Sequence, residues 1–326
     1  MLPNFSYVRP KTVKDAVKQL SSDEAHVYAG GTDLIGCLRD HIFGAKKIVS
    51  ISGDESLKGI KKTGNGGLRI GAMTTITEVA ENDVVNSMFP GLAQAASEVA
   101  SPQLRNQGTI GGNLCQKTRC WYYRGEFDCL RKGGDTCFAA SGENHFHAIF
   151  GSDGICWAVH PSDTAPVLKA LRAKVTAVGP AGSRSIPLET FHVRPEQDVT
   201  AATVLKPDEI LTEILIPKPA AGLRTSYRKV RTRRSWDFAL VGIALALAFK
   251  GDTVADASIV LSGVGTVPWR SESAEKAVKG GKLDDKTIAK AAEAAVQGAE
   301  PLEHNGYKVI MLQGAMEEEL AKAAAG

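Results

Sequence analysis

The residues with the most chemistry in them are cysteines and glycines, and both kinds are grouped. The chain holds six cysteines in 326 residues. Cys37 stands alone, whereas Cys115, Cys120, Cys129, Cys137 and Cys156 fall in one segment. The last four are separated by 8, 7 and 18 residues. That spacing is neither the paired CxxC of a zinc ribbon nor the tight run of a bacterial ferredoxin. The start, MLPNFSYVRP, has no charged stretch followed by an apolar one. No export signal is therefore expected, and metal ligation is a better reading of the group than disulfides. Loops such as Arg131-Lys132-Gly133-Gly134-Asp135 have little to bury, so a metal centre would supply their staple. Spacing alone leaves three readings open. These are a four-thiolate site on Cys120, Cys129, Cys137 and Cys156, a zinc site that adds His145, His147 or His160, and free or disulfide-linked thiols. Trp121 and Trp157 directly follow cysteines of the set and are expected to screen a metal centre from water. Cys115 is expected to belong to the neighbouring glycine turn. Cys37, in a predicted helix, reads as a small buried apolar residue.

The segment Tyr28-Ala29-Gly30-Gly31-Thr32-Asp33-Leu34 reads as a strand end, a glycine pair and a helix start. Glycines let backbone approach a ligand closely, and a helix start offers free N–H groups, so the segment suits an anion such as phosphate. The plain alternative is a strand-to-helix turn capped by Thr32 or Asp33. It is neither GxGxxG nor a Walker A sequence. A second turn of the same kind is Gly108-Thr109-Ile110-Gly111-Gly112-Asn113. Two such turns suit the diphosphate of a dinucleotide held from two sides, against the alternative of two ordinary turns. Arg228 to Arg234 carries five basic residues in seven. The plain reading is a solvated strand end. The chemical one is a cation at the pyrimidine side of a bound flavin, where it stabilises the anionic reduced form. On a strand, Lys229 and Arg231 share one face.

These groups need a folded frame. Hydrophobic residues make up 43% and charged residues 23%, which is ordinary for a globular chain with a sizeable core. The length suits about two domains. No apolar run reaches the roughly 20 residues of a membrane span. The longest, Phe238 to Phe249, is expected to be a buried strand. A net charge of +3 argues against nucleic acid. Strands are expected at Lys47–Ser52, Leu68–Met73, Val175–Val178 and Glu209–Ile216. Helices are expected from Thr77, over Gly91–Ala100, and over Asp163–Ala173 with Ser162 as cap. Ile216 to Gly222 reads as a linker. Three strands then follow at Arg224–Val230, Phe238–Phe249 and Ser258–Val264. Helices at Glu272–Val278, Asp285–Gln297 and Tyr307–Ala325 complete a separate α+β unit.

Taken in order, Ala29 to Leu34, Ser101-Pro102-Gln103-Leu104-Arg105-Asn106, Thr109 to Asn113 and His160-Pro161-Ser162-Asp163 resemble the FAD-binding medium subunit of molybdenum hydroxylases. This is the xanthine dehydrogenase and carbon monoxide dehydrogenase flavoprotein family. Ser262-Gly263-Val264 and Val267-Pro268-Trp269-Arg270 are similar to its C-terminal domain, so the resemblance covers nearly the whole chain. It implies an α+β fold: a two-part FAD-binding domain over 1–220, then a small domain of antiparallel sheet plus helices over 223–326. It implies that the FAD pyrophosphate lies against His26, Val27, Tyr28, Ala29, Gly30, Gly31, Thr32, Asp33 and Leu34, and against Thr109, Ile110, Gly111, Gly112 and Asn113. It places Asp163 at the ribityl or ring region, Leu211 beside the ring and Lys229 as the basic residue near the flavin, with Arg228 as a rival one position away. Val99 matches a position that is often aromatic and stacks on the cofactor in some relatives, a contact not expected of a valine.

Most members run almost directly from the second glycine turn to the Ser-Asp helix, whereas here an insert intervenes at about 115–157. Its cysteine segments resemble those of two subgroups that carry a [4Fe–4S] cluster there. These are the β subunit of 4-hydroxybenzoyl-CoA reductase and the FAD subunit of periplasmic-type aldehyde oxidoreductases, and Gly142 to Ile149 looks closer to the second. The resemblance thus implies a cluster on Cys120, Cys129, Cys137 and Cys156. It also implies an electron-transfer role between iron–sulfur centres, FAD and an external acceptor, without substrate acid–base residues. The partners implied are a large molybdenum-cofactor subunit and a small [2Fe–2S] subunit. Residence is expected to be cytoplasmic, or periplasmic by co-export with a signal-bearing partner. The rival of a different class is a zinc-stapled nucleotide-binding module without enzymatic activity.

Overall fold

The computed structural model describes residues 1–325. Its first part is β1 (Ser6–Val8), α1 (Val13–Leu20), β2 (Ala25–Tyr28), α2 (Leu34–Arg39) and β3 (Lys47–Ser50). Its three strands form a parallel sheet in the order β1-β3-β2. Thr12 caps α1 by accepting from Asp15 N–H, and Ala16, Val17 and Leu20 pack on Val49 and Ile51.

The second part begins with β4 (Ile60–Lys62) and β5 (Leu68–Gly71). A run of short helices follows: α3 (Ile76–Glu81), α4 (Asp83–Met88), α5 (Pro90–Ser97), α6 (Pro102–Gln107) and α7 (Ile110–Cys115). The insert contributes α8 (Trp121–Arg124), and the chain returns through α9 (Thr164–Ala170), β6 (Lys174–Gly179), β7 (Gly182–Pro187) and β8 (Ile210–Ile216). The sheet is antiparallel in the order β4-β5-β8-β6-β7. Nearly every short helix has its own start signal. Thr75 and Glu78 form a capping box on α3, Asn82 caps α4, Ser101 with Pro102 starts α6, and Thr109 caps α7.

The third part is β9 (Leu223–Val230), β10 (Val241–Lys250), β11 (Thr253–Ser262), β12 (Trp269–Arg270), α10 (Glu272–Val278), α11 (Asp285–Ala295) and α12 (Tyr307–Ala325). Its sheet is antiparallel, in the order β12-β11-β10-β9. Strand β10 is buried on both faces. Ile243, Leu245 and Leu247 pack with α10, α11 and α12, while Ala244 and Ala246 join the core of the second part. Small side chains on that face let α5 and α9 come close: Gly91 at the start of α5 lies against the backbone of Ser226 on β9.

The expected elements are present with shifted ends. The strand expected from Phe238 begins at Val241, and Phe238 itself is exposed. The helix expected through Ala100 ends at Ser97, and Ala100 takes a positive φ of 43°. The strand expected from Ser258 begins at Thr253. Ser162 does cap the following helix, accepting from Ala165 N–H at 3.0 Å. No helix among the described residues is long and apolar enough to cross a membrane.

Candidate functional site

The two glycine turns meet. Gly30 lies so close to the carbonyl of Gln107, just before the second turn, that a Cβ on it would overlap that oxygen. Gly31 has φ +72°, a conformation that favours glycine, and a Cβ there would stand 2.6 Å from the Tyr28 ring. A Cβ on Gly111 would be 2.8 Å from that of Ala72. The turns differ in what they offer. Ile110 and Gly111 donate their N–H groups to Thr74 and Ala72 carbonyls, at 2.9 Å each. Gly112 donates to Thr109 Oγ1 at 3.2 Å, and Asn113 to the Thr109 carbonyl at 2.8 Å. The second turn therefore presents a surface without side chains rather than free donors. In the first, the amides of Gly31 to Asp33 donate to no backbone carbonyl among the described residues.

A cavity of about 250 Å³ lies over this meeting point. His26, Val27, Ala29 to Leu34, Thr109, Gly111, Gly112 and Leu211, all candidate cofactor residues, line it. Tyr28 and Ile110 do not. Tyr28 turns its ring to Tyr7, and Ile110 is fully buried in the core. A second cavity of about 210 Å³ adjoins the first, sharing Thr32, Asp33, Thr109 and Gly112. Asn113, Val99, Arg119, Asp163 and the segment Trp236 to Phe238 are among its other walls. Cavities in series form a groove of the size that small-molecule ligands occupy.

A third cavity, of about 340 Å³, shares Arg119, Pro161, Asp237 and Phe238 with the second, and Asp163 stands at the junction. Its carboxylate is buried, accepts from Tyr227 Oη at 2.7 Å and pairs with Lys229 Nζ at 2.8 Å. Burial raises its pKa, against the opposing pull of Lys229 and Tyr227. Lys229 also donates to the Glu98 carbonyl, as does Arg231, so the two share a face as the strand period requires. Arg228 points elsewhere, to Glu318 at 2.9 Å. The Lys229 charge is thus matched by a carboxylate inside the protein and is not a free cation.

The four cysteines of the insert line one small cavity, with Tyr122, Tyr123, Phe138 and Arg131 among its walls. Cys120 starts α8, and its Sγ lies 3.2 Å from His147 Nε2. Hydrogen bonding from Cys137 lowers the Cys156 pKa, with help from Arg131, while Cys137 is raised. Burial pushes the Cys120 thiol up to about 11. The aromatic screen is tyrosine and phenylalanine, not the expected tryptophans: Trp121 is half exposed, and neither Trp121 nor Trp157 lines the cavity. Among the described residues, no three His, Cys, Asp or Glu side chains converge as a single metal ion requires. His145 pairs with Glu143 at the surface, and His160 packs on His192. Cys115 lines the first cavity beside the second glycine turn, where burial pushes its thiol up to about 12.

Comparison with known proteins decides the family. The profile of the FAD binding domain in molybdopterin dehydrogenase matches residues 3–219, and that of the CO dehydrogenase flavoprotein C-terminal domain matches 225–315. The chain belongs to the molybdenum hydroxylase flavoproteins. It is 34% identical to the aldehyde oxidoreductase FAD-binding subunit PaoB of Escherichia coli, covering 98% of each chain. It is 29% identical to the carbon monoxide dehydrogenase medium chain of Hydrogenophaga pseudoflava, over 92% of this chain and 89% of that one. A solved carbon monoxide dehydrogenase structure from the same organism superposes with a TM-score of 0.79 at 28% identity, covering 99% of both chains.

For a flavoprotein of this family the groove is a fitting FAD site. The cradle at Gly30, Gly31 and Gly111 is one that any side chain would fill, and it lies next to the unpaired amides of the first turn. Residues that sequence reasoning missed are those brought in from a distance. Tyr227 bonds to Asp163, while Arg119 and Arg124 bind the Asp33 carboxylate at 3.0 and 2.8 Å. An arginine beside a proposed ligand cysteine was the only local signal.

Proposed function

We propose that this chain is the FAD-binding, electron-transfer subunit of an aldehyde-oxidising molybdenum hydroxylase, with a [4Fe–4S] cluster on Cys120, Cys129, Cys137 and Cys156. One observation carries the reading: four thiols from separate points of the insert face one cavity in a chain similar to an aldehyde oxidoreductase subunit along almost its whole length. The domain division at 220/223 is supported by the two matched segments and by the change of sheet between β8 and β9.

FAD, when bound, supplies the redox chemistry. The protein residues position it. Gly30 to Asp33 offer backbone donors to the pyrophosphate, and Gly111 and Gly112 admit it closely. His26 donates Nε2–H to the Gly44 carbonyl at 2.8 Å and stiffens the groove wall. Leu211 supplies an apolar wall beside the ring, and the Asp163–Lys229–Tyr227 group holds fixed dipoles near its polar edge. The partners are a large molybdenum-cofactor subunit and a small [2Fe–2S] subunit, with an external acceptor. The compartment is read as the cytoplasm, and fractionation of the assembled complex tests it against co-export to the periplasm.

The purified complex should show flavin absorbance together with iron and acid-labile sulfide beyond what the small subunit accounts for. Cys129→Ser should lose that surplus. Zinc without sulfide, or a Cys129→Ser protein with full iron, refutes the cluster assignment. A complex without flavin refutes the reading as a whole.

A further inference from the structure

Asp33 ends the first glycine turn, yet both of its carboxylate oxygens are engaged by protein. Oδ1 accepts from Arg124 Nη2 at 2.8 Å and pairs with Arg119 at 3.0 Å. Oδ2 accepts the Lys117 N–H at 2.8 Å. All three partners belong to the segment that leads from the second glycine turn into the cysteine insert. The Asp33 and Arg124 side chains are mostly buried, at 19% and 18% exposure. Arg124 is held from several sides. It donates Nε–H to the Thr118 carbonyl at 2.8 Å and an Nη1 hydrogen to Cys37 Sγ at 2.9 Å. Its own amide bonds to the Cys120 carbonyl at 2.9 Å, so its place follows directly from that of a proposed ligand. Arg124 lines none of the cavities of the flavin groove.

We propose that Asp33 and Arg124 form a latch that couples the flavin turn to the cysteine insert, so that FAD binding and metal retention strengthen each other. This rests on the FAD and cluster reading above. The physical basis is a shared buried ion pair. An insert folded around its metal centre fixes Arg124, and Arg124 fixes Asp33 and the free amides just before it. An insert without its staple releases Arg124 and leaves a mostly buried carboxylate short of a partner. Coupling of this kind is reciprocal: what the metal centre does for FAD affinity, FAD does for metal retention. Asp33 and Arg124 are positioning residues, since their side chains act on the turn rather than on the flavin.

The test uses the purified complex, stripped of flavin and titrated with FAD by fluorescence, with iron and sulfide measured alongside. Arg124→Ala should weaken FAD binding roughly tenfold, although Arg124 lines no part of the groove. Arg124→Lys should recover part of that loss. The losses in the pair Asp33→Asn with Arg124→Ala should be less than multiplicative, because the Asp33–Arg124 interaction is lost in all three, while Arg119 on Asp33 and the Thr118 and Cys37 contacts of Arg124 are not shared. Wild-type complex treated with a chelator should show a similar loss of FAD affinity, and flavin-free complex should lose iron to the chelator faster than loaded complex. Unchanged FAD affinity in Arg124→Ala overturns the latch, as do losses that multiply in the double variant. If Arg124→Ala does not assemble, Arg124→Lys decides: an affinity equal to wild type overturns the proposal, and a weaker one with iron retained supports it. Wild-type complex without surplus iron and sulfide refutes the cluster reading instead, and the substitutions then decide the latch.

Discussion

Replacing Lys229 by Met should destabilise the protein by about 3–5 kcal/mol, the usual cost of removing one partner from a buried ion pair. The Lys229 and Asp163 side chains are 1% and 6% exposed and meet at 2.8 Å. Methionine fills a similar volume, so packing changes little. What remains is a buried carboxylate whose main partner is Tyr227 Oη at 2.7 Å. Burial already raises the Asp163 pKa from 3.8 and Lys229 opposes the rise, so the substitution raises it further. The sign follows. A folded-state pKa above the unfolded value means that the folded form binds more protons between the two, so stability is greatest at low pH and falls as pH rises through that window. The deficit of the variant should therefore be large at about pH 8 and smaller at about pH 5. Thermal unfolding of the complex, followed by flavin release, should show a Tm lower by on the order of 10 °C at the higher pH. Adding Asp163→Asn should restore much of it, because the uncompensated charge is gone. An equal Tm drop at both pH values, unrelieved by the second substitution, would refute the argument and point to packing.

Gly30→Ala should deplete FAD. The new Cβ overlaps the fixed Gln107 carbonyl, so the turns must part, and overpacking of about 1–3 kcal/mol corresponds to a roughly 5- to 150-fold weaker site; flavin-to-protein ratio after gel filtration measures it. Lys308 is fully buried on α12 and donates to the Phe146 and Gly263 carbonyls at 3.1 and 2.7 Å. Burial pushes its pKa from 10.5 down to about 7, so the unfolded chain binds more protons across that window and stability should rise with pH through it. Lys308→Met should flatten that slope in thermal unfolding measured across the window, and an unchanged slope would count against the lowered pKa. Tyr227→Phe removes the hydroxyl shared by Asp163 and Ser262 and should lower stability by about 1–3 kcal/mol, read by the same unfolding assay.

Much of the frame was legible from local signals. The strand, glycine pair and helix at residues 28–34 appear where the order of residue types puts them. The apolar run into Phe249 is a doubly buried strand, and three helices close the chain as expected. Helices α6 and α7 were not legible because each is only six residues long and α7 carries two glycines; caps and tertiary contacts hold them against weak propensity. The start of β10 was misjudged because Phe238 is apolar, yet it stands in the exposed turn that follows the basic stretch.

The sequence by itself determined which residue types could do chemistry here: backbone freedom at Gly30, Gly31, Gly111 and Gly112, and four spaced thiols in a segment too polar to fold alone. Only the tertiary structure decided how these are used. It left the amides of Gly31 to Asp33 without a backbone acceptor among the described residues and bonded those of the second turn to Thr74, Ala72 and Thr109. It paired Lys229 with Asp163, 66 residues away, and Asp33 with Arg124, 91 residues away. The reason is physical. Turns, caps and strand faces depend on residues a few positions apart, whereas the partner of a buried charge is whichever group the folded chain brings within about 3 Å, where desolvation makes pairing necessary.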